Sequence, residues 1–401
     1  MEKKAFKPAE RLSLVQEYYF SRKLKEVARL NAEGRDIISL AIGSPDMPPS
    51  ERTVNKLCEV ARRPDSHGYQ PTMGTAELRQ AMARYYKKTY GVDVDPDTEI
   101  LPQIGSKEGM LHITLALVNP GETVLVPNPG YPTYTALSQL LGARVEYYDL
   151  KEENDWQPDF DQLEEIVSRK SLNCKLLWTN YPHMPTGAPA SQDVFDRLVE
   201  LARKYHFVVV NDNPYSRILN PSPLSIFNTR LSSPELAKEY CIELNSMSKS
   251  HNMPGWRVGM CVAKPEFISW ILKVQSNIES GTFRGLQLAA AEALDTNSSE
   301  WHEEHNIEVY ARRRKLAEEI MTALGCTFNK QQVGMFLWGR IPERYAEAEE
   351  LTERVLHEAR VFITPGFIFG TNGSRYVRIS LCAKEEKISE ALQRIQHMQA
   401  R

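Results

Sequence analysis

The chain has 401 residues, 42% of them hydrophobic and 25% charged, with a formal net charge of −3. That length accommodates two or three domains, or one large α/β domain with an appendage. The near-neutral balance and the lack of a basic block give no reason to expect a nucleic-acid partner, and no apolar run approaches the roughly 20 residues needed to cross a membrane. Six cysteines (Cys58, Cys174, Cys241, Cys261, Cys326 and Cys382) are scattered without a C-x-x-C pair. They read as reduced thiols of a cytoplasmic protein, with no metal site. The polar, charged start Met1–Glu10 shows no secretory signal.

In chain order, a charged helix pattern over 24–31 precedes the turn-rich segment Gly43-Ser44-Pro45-Asp46-Met47-Pro48-Pro49, and both are expected outside the main sheet. Strand and helix patterns then alternate. Strands are expected over 99–104, 122–126, 144–150, 175–180, 207–211 and 240–244, with helices over 106–118, 131–141, 159–170 and 192–205. Alternation of this kind predicts an α/β fold with a mostly parallel sheet between helices. The run Phe207-Val208-Val209-Val210 lacks polar alternation, as strands covered on both faces do. The last hundred residues differ: a long charged helix over 300–324, strands over 335–338 and 375–381, and helices over 346–359 and 384–398. They predict a smaller α+β domain built from both chain ends, residues 1–48 and 291–401, beside a large domain over 49–290.

Three consecutive strands lead into chemically active residues. The first ends at Asn180, the second at Asp212 with Tyr215 three residues later, and the third runs into Ser246, Ser248 and Lys249. Ligands of open α/β sheets bind outside the carboxyl ends of strands, so the clustering predicts a site there. A lysine between small hydroxyl residues, with Arg257 eight positions on, suits a phosphorylated carbonyl compound. The amine can form a Schiff base, and the hydroxyls and guanidinium can hold a phosphate. Gly105-Ser106-Lys107, at a strand-to-helix turn, adds a second place where backbone N–H groups can meet phosphate. Its glycine spacing fits neither a dinucleotide fingerprint nor a P-loop.

Together these residues resemble the class I aminotransferases, pyridoxal-phosphate enzymes of fold type I, from about Ser39 to the C-terminal helix. The resemblance implies that Lys249 is the Schiff-base lysine. Arg257, Ser246 and Ser248, with Ser106 and Lys107, would hold the phosphate. Asp212 would pair with the pyridine nitrogen, making the ring an electron sink. Tyr215 would donate to the ring hydroxyl oxygen, and Tyr131 would stack on the ring. Arg378 would grip the substrate α-carboxylate as a fork, close to the backbone of Gly43. Tyr69, in Tyr69-Gln70-Pro71-Thr72-Met73-Gly74, would cross to a partner subunit's phosphate, implying a homodimer with composite active sites. The implied activity moves the amino group of an L-amino acid to a 2-oxo acid, with a lean towards aspartate- or alanine-type members. The alternatives are a C–S β-lyase on the same fold and a non-catalytic cofactor-binding regulator. The regulator would need an added DNA-reading module for which the chain has little room.

One departure stands out. The family's Asn-Pro-Thr-Gly loop, whose asparagine donates to the ring hydroxyl oxygen, here reads Met184-Pro185-Thr186-Gly187, and the methionine side chain has no N–H to give. Either Asn180 takes over the donation or Tyr215 acts alone, and the second account implies a raised pKa of the lysine–cofactor linkage. Outside the site, His67 and His251 read as packing residues or supports behind the site, Trp256 and Trp338 as core, Arg284 as either a solvated surface arginine or a group reaching a substrate side chain across the dimer, and Arg312-Arg313-Arg314 as the solvated face of a helix.

Overall fold

The computed structural model describes residues 6–15, 19–230 and 233–400. Twelve strands are present among the described residues: β1 (Ile38–Ser39), β2 (Ile100–Gln103), β3 (Thr123–Asn128), β4 (Arg144–Asp149), β5 (Cys174–Thr179), β6 (Val208–Asp212), β7 (Cys241–Ser246), β8 (Gly259–Val262), β9 (Phe336–Arg340), β10 (Val361–Phe362), β11 (Thr364–Pro365) and β12 (Tyr376–Ser380). Seven of them form one sheet in the order β2-β8-β7-β6-β5-β3-β4. Only β8 runs against the others. The sheet is mixed by that one strand, and the fold is α/β as expected.

Period-two geometry divides the strand residues between two buried layers. Leu176, Trp178, Val210, Ile242 and Leu244 belong to one apolar cluster, and Leu177, Val209 and Cys241 to the other. Both faces are therefore covered, which is why β6 reads as an uninterrupted valine run. The covering helices carry ordinary end signals. In helix Ala76–Tyr90 the Thr75 hydroxyl accepts from the Leu78 N–H, and Gly91 closes the helix in the left-handed region at φ 70°.

The two chain ends meet beside this sheet. β1 pairs in parallel with β10, and β11-β12-β9 form an antiparallel sheet in which Arg378 faces Trp338. Helices Val309–Ala323 and Glu385–Gln399 pack on one another. The small-domain assignment of residues 1–5, 16–18 and 401 lies outside the described residues. Helices Glu51–Ala61, Pro265–Ile278 and Arg284–Thr296 and strand β8 add to the elements expected from the sequence. Strand β8 is four residues long and follows directly on the lysine motif. A Cβ on its Gly259 would come within 3.0 Å of the Gly105 backbone.

The three consecutive arginines do not form one solvated face. Successive helical residues point about 100° apart. Arg312 reaches Glu385 at 2.9 Å and Arg314 reaches Glu318 at 3.0 Å. Arg313, 4% exposed, turns inward. It donates from Nη1 and Nη2 to the two Asp46 carboxylate oxygens at 2.7 and 3.0 Å, and to the Leu381 carbonyl at 3.1 Å. This fork ties the segment after Gly43 to the C-terminal part of the chain. Arg313→Ala takes the cation from Asp46, which keeps access to water, and the donor from the Leu381 carbonyl, with an expected loss of about 1–2 kcal/mol. Chemical denaturation, with Arg312→Ala as the near-neutral control, measures it.

Candidate active site

A cavity of about 730 Å³ opens at the carboxyl ends of β5, β6 and β7. The register brings those ends level: Thr179 pairs with Asn211, and Asp212 with Leu244. Asn180, Asp212 and Tyr215 therefore share a wall with Ser246, Ser248 and Lys249, which stand in the one-turn helix Met247–Ser250 and its cap. Ser106, Lys107 and Tyr131 line the same cavity from helix starts following β2 and β3, and Arg257 closes that side. Gly43, Met184 and Arg378 line it from other parts of the chain. Tyr69 is the exception among the expected residues. It is 94% exposed and lies off this wall.

Each group is held by specific partners. The Lys249 ammonium donates to the Gly43 carbonyl. Burial, together with the positive charges of Arg378 and Arg257, pushes its pKa below the ordinary lysine value. Asp212 is buried, and its Oδ2 accepts from the Tyr134 hydroxyl at 2.9 Å. Burial raises Asp212 to about 7, although Tyr134 and Lys249 act in the opposite direction. Tyr134 was not anticipated from the sequence. It lies one helical turn after Tyr131, an i,i+3 spacing that signals a shared face, and its ring stacks on Trp178 at 5.1 Å. Burial and the Asp212 charge push the Tyr215 phenol upward, keeping it protonated.

The Ser248 hydroxyl accepts from Arg257 Nη1 at 3.3 Å, and Ser246 Oγ accepts from the Ser248 N–H at 3.1 Å. Arg257 adopts the left-handed conformation at φ 55°. Its guanidinium occupies the space where a Cβ on Gly105 would stand, 2.0 Å from Nη2. Glycine at 105, itself at φ 78°, is thus required both by conformation and by the close approach of the arginine. On the opposite side Arg378, 4% exposed, donates from Nη2 to the Ala41 carbonyl at 2.8 Å and from Nη1 to the Met184 thioether at 3.3 Å. The rings of Phe336, Phe369 and Phe20 surround it at 4.0, 4.6 and 5.8 Å. Asn180 donates to the Asp212 carbonyl and accepts from the Met184 N–H at 2.8 Å. Its amide therefore fixes the strand-end backbone while facing the cavity.

His251 is buried and Trp338 is core, whereas His67 is exposed and stacks on Phe283 at 5.9 Å. Trp256 is only partly buried, and Arg284 pairs with Asp65 at 3.4 Å.

The arrangement combines an amine, a carboxylate, a hydroxyl–guanidinium cup and an arginine fork. The family model for aminotransferase class I and II matches residues 35–395. An LL-diaminopimelate aminotransferase of Dehalococcoides mccartyi is 39% identical over 391 residues, covering 97% of this chain and 98% of the relative. One from Aquifex aeolicus is 37% identical, covering 98% and 99%. Among solved structures, substrate-bound BacF from Bacillus subtilis superposes with a TM-score of 0.90 at 32% identity, covering 99% of this chain and 98% of that one. Aspartate aminotransferase from Thermus thermophilus with maleate gives 0.89 at 25% identity, covering 98% and 100%. The chain belongs to the class I and II aminotransferases, which use pyridoxal phosphate.

Two buried atoms fit that cofactor. Among the described residues Asp212 Oδ1 and Ser106 Oγ make no hydrogen bond of ordinary geometry, although Ser106 lies close enough to act on the Asp212 carboxyl. A ring N–H and a phosphate oxygen are groups that would satisfy them. The Asp212 shift has a consequence for the cofactor-free protein. Between the ordinary aspartate value of 3.8 and about 7 the folded chain holds a proton that the unfolded chain releases. Stability from this group therefore falls as pH rises through that window. Asp212→Asn removes the dependence while keeping an acceptor for Tyr134. The substitution is expected to raise the melting temperature of the cofactor-free protein at pH 8 more than at pH 5, as measured by calorimetry.

Proposed function

We propose that Lys249 carries pyridoxal phosphate and serves as the base of a transamination between an L-amino acid and a 2-oxo acid. The observation that carries this reading is convergence. A buried amine with a lowered pKa shares one cavity with the Asp212 carboxylate and the Arg378 fork. When bound, the cofactor supplies a conjugated ring that stabilises negative charge at the substrate Cα. The Asp212 carboxylate would hold the ring nitrogen protonated. Ser106, Lys107, Ser246, Ser248 and Arg257 would hold the phosphate, Tyr131 would stack on the ring, and Tyr215 would donate to its hydroxyl oxygen.

Arg378 positions the substrate by its α-carboxylate, which places the Cα proton near Lys249. The Gly43 carbonyl keeps the lysine amine on that side. A base already in place turns proton transfer into a local step. No observation favours β-elimination over transamination. The exposed Tyr69 suits a residue completing a partner subunit's phosphate site, which supports a homodimer with composite sites. We assign residues 49–290 to a cofactor-holding domain and 1–48 with 291–401 to a smaller one. A cytoplasmic location fits the free cysteines, and no helix among the described residues is long and apolar enough to cross a membrane.

Lys249→Ala is expected to lower turnover of any amino donor by at least about 10³-fold, within reach of losing both the attachment and the base. Turnover near the parent's in a coupled assay would reject the assignment. Met184→Asn restores an amide beside Arg378. It is expected to lower the pKa of the lysine–cofactor linkage by about one unit, because an added donor favours the charged form. Spectrophotometric titration of the two holoenzymes gives the comparison, and identical midpoints would leave Asn180 as the compensating donor.

A further inference from the structure

We propose that Glu243 is a positioning residue for the reaction: from behind the sheet, and through Asn211, it holds the strand ends from which Asn180 and Asp212 reach the cofactor. The inference rests on the aminotransferase reading above.

The face of the sheet that carries Val209 and Cys241 is apolar there and turns polar towards its carboxyl edge. Period two puts Asn211 of β6 and Glu243 and Asn245 of β7 on that face. Asn211 and Glu243 are register partners, and both are fully buried. Both Glu243 oxygens are engaged. Oε1 accepts from the Tyr86 hydroxyl at 3.0 Å, and Oε2 accepts from Asn211 Nδ2 at 3.0 Å and from the Ile226 N–H at 2.9 Å. Burial raises the carboxyl, and these donations oppose the rise. A buried hydrogen-bonded network is no more stabilising than apolar groups of the same shape, and a break in an otherwise apolar strand face is expected where function needs it.

Glu243 lies behind the cavity wall rather than on it, so it acts through Asn211. An amide side chain presents a donor on one side and an acceptor on the other. With Nδ2 committed to Glu243, Asn211 Oδ1 accepts from the Tyr181 N–H at 3.0 Å. Tyr181 follows Asn180, and Asn211 precedes Asp212. One carboxylate thus sets the amide that ties the chain beside Asn180 to the chain beside Asp212, and Asn180 completes the tie by donating to the Asp212 carbonyl. Tyr90, one turn after Tyr86 on helix Ala76–Tyr90, extends the buried layer. Its Oη accepts from Asn245 Nδ2 at 2.8 Å and meets Ser216 Oγ at 2.6 Å. Asn245 adjoins Ser246, and Ser216 adjoins Tyr215. Four residues of the site therefore have an immediate chain neighbour held in this layer.

The test compares the parent with Glu243→Gln, Glu243→Ala and Leu163→Ala. Leu163 is fully buried in helix Phe160–Ser168, outside the layer, and controls for lost packing. Glutamine keeps an oxygen for Asn211 and Ile226 and offers an N–H to the Tyr86 hydroxyl, whereas alanine removes the acceptor. Each cofactor-free protein is titrated with pyridoxal phosphate by calorimetry. Each protein at saturating cofactor is then followed by absorbance through single turnovers with L-aspartate, L-alanine, L-phenylalanine and LL-diaminopimelate. Glu243→Ala is expected to weaken cofactor binding and to lower the maximal conversion rate, each at least about tenfold, because small misplacements of reacting groups are costly. The donor concentration giving half-maximal rate should stay within about threefold, since the Arg378 grip is untouched. Glu243→Gln should recover most of both losses, and Leu163→Ala should lower the melting temperature without either loss. If Glu243→Ala does not fold, Asn211→Ala, which releases Tyr181 and leaves Glu243 two of its donors, takes its place with the same expectation. Affinity and rate no worse than those of Leu163→Ala overturn the inference and leave the aminotransferase reading intact. A parent protein that neither binds pyridoxal phosphate nor converts it with any of the four donors rejects that reading, and the inference with it.

Discussion

Neighbouring parallel strands must end on the same edge of their sheet, and the site follows from that constraint. β5, β6 and β7 lie side by side in register, so residues 180, 212 and 246, far apart in sequence, emerge at one mouth. The sheet is buried on both faces, and the mouth inherits that poor solvation. Burial then acts on two groups of opposite charge type. It drives the Lys249 amine down and the Asp212 carboxyl up. One cause thus brings a base towards its neutral form and an acid towards its protonated form. A bound cation beside Asp212 restores the carboxylate, and a basic amine is available to a carbonyl without further tuning.

The second half of the cavity comes from the chain ends. Arg378 sits in the middle strand of the antiparallel β11-β12-β9 sheet, with Phe336 of β9 and Phe369 of the short 3₁₀ helix between β11 and β12 around its guanidinium. A planar cation among aromatic faces is held in orientation as well as charge. The Arg313–Asp46 fork fastens the N-terminal stretch to this unit, so the segment carrying Gly43 is fixed between Arg378 and Lys249.

The parallel part of the sheet was legible because each strand announces itself by an apolar run of the right length. The strand-end rule then places Asn180, Asp212 and Lys249 together without any pairing knowledge. β8 was not legible: four residues beginning with glycine carry no periodicity, and its direction depends on its neighbours. Tyr134 escaped notice because its partner, Asp212, is 78 residues away, although its spacing from Tyr131 pointed to it. Phe20, Leu24 and Ile42 of the cavity wall were hidden for a similar reason, since a core-facing and a cavity-facing leucine look alike in a helical pattern. The Arg312-Arg313-Arg314 run misled because charge alone suggests solvent, while helical geometry sends one of any three successive residues inward. Tyr69 was found by resemblance alone, and its exposure is intelligible only beyond a single chain.

The stretch Ala41-Ile42-Gly43 is held almost wholly through its carbonyls. Arg378 takes the first, Ser380 the second at 2.8 Å and Lys249 the third. Main-chain anchoring of this kind is blind to side-chain identity at position 42, whereas Ala41 is fully buried in the core and a Cβ on Gly43 would strike Phe336. Position 42, whose side chain is 37% exposed on the cavity wall, can therefore vary without loosening the three contacts beside it.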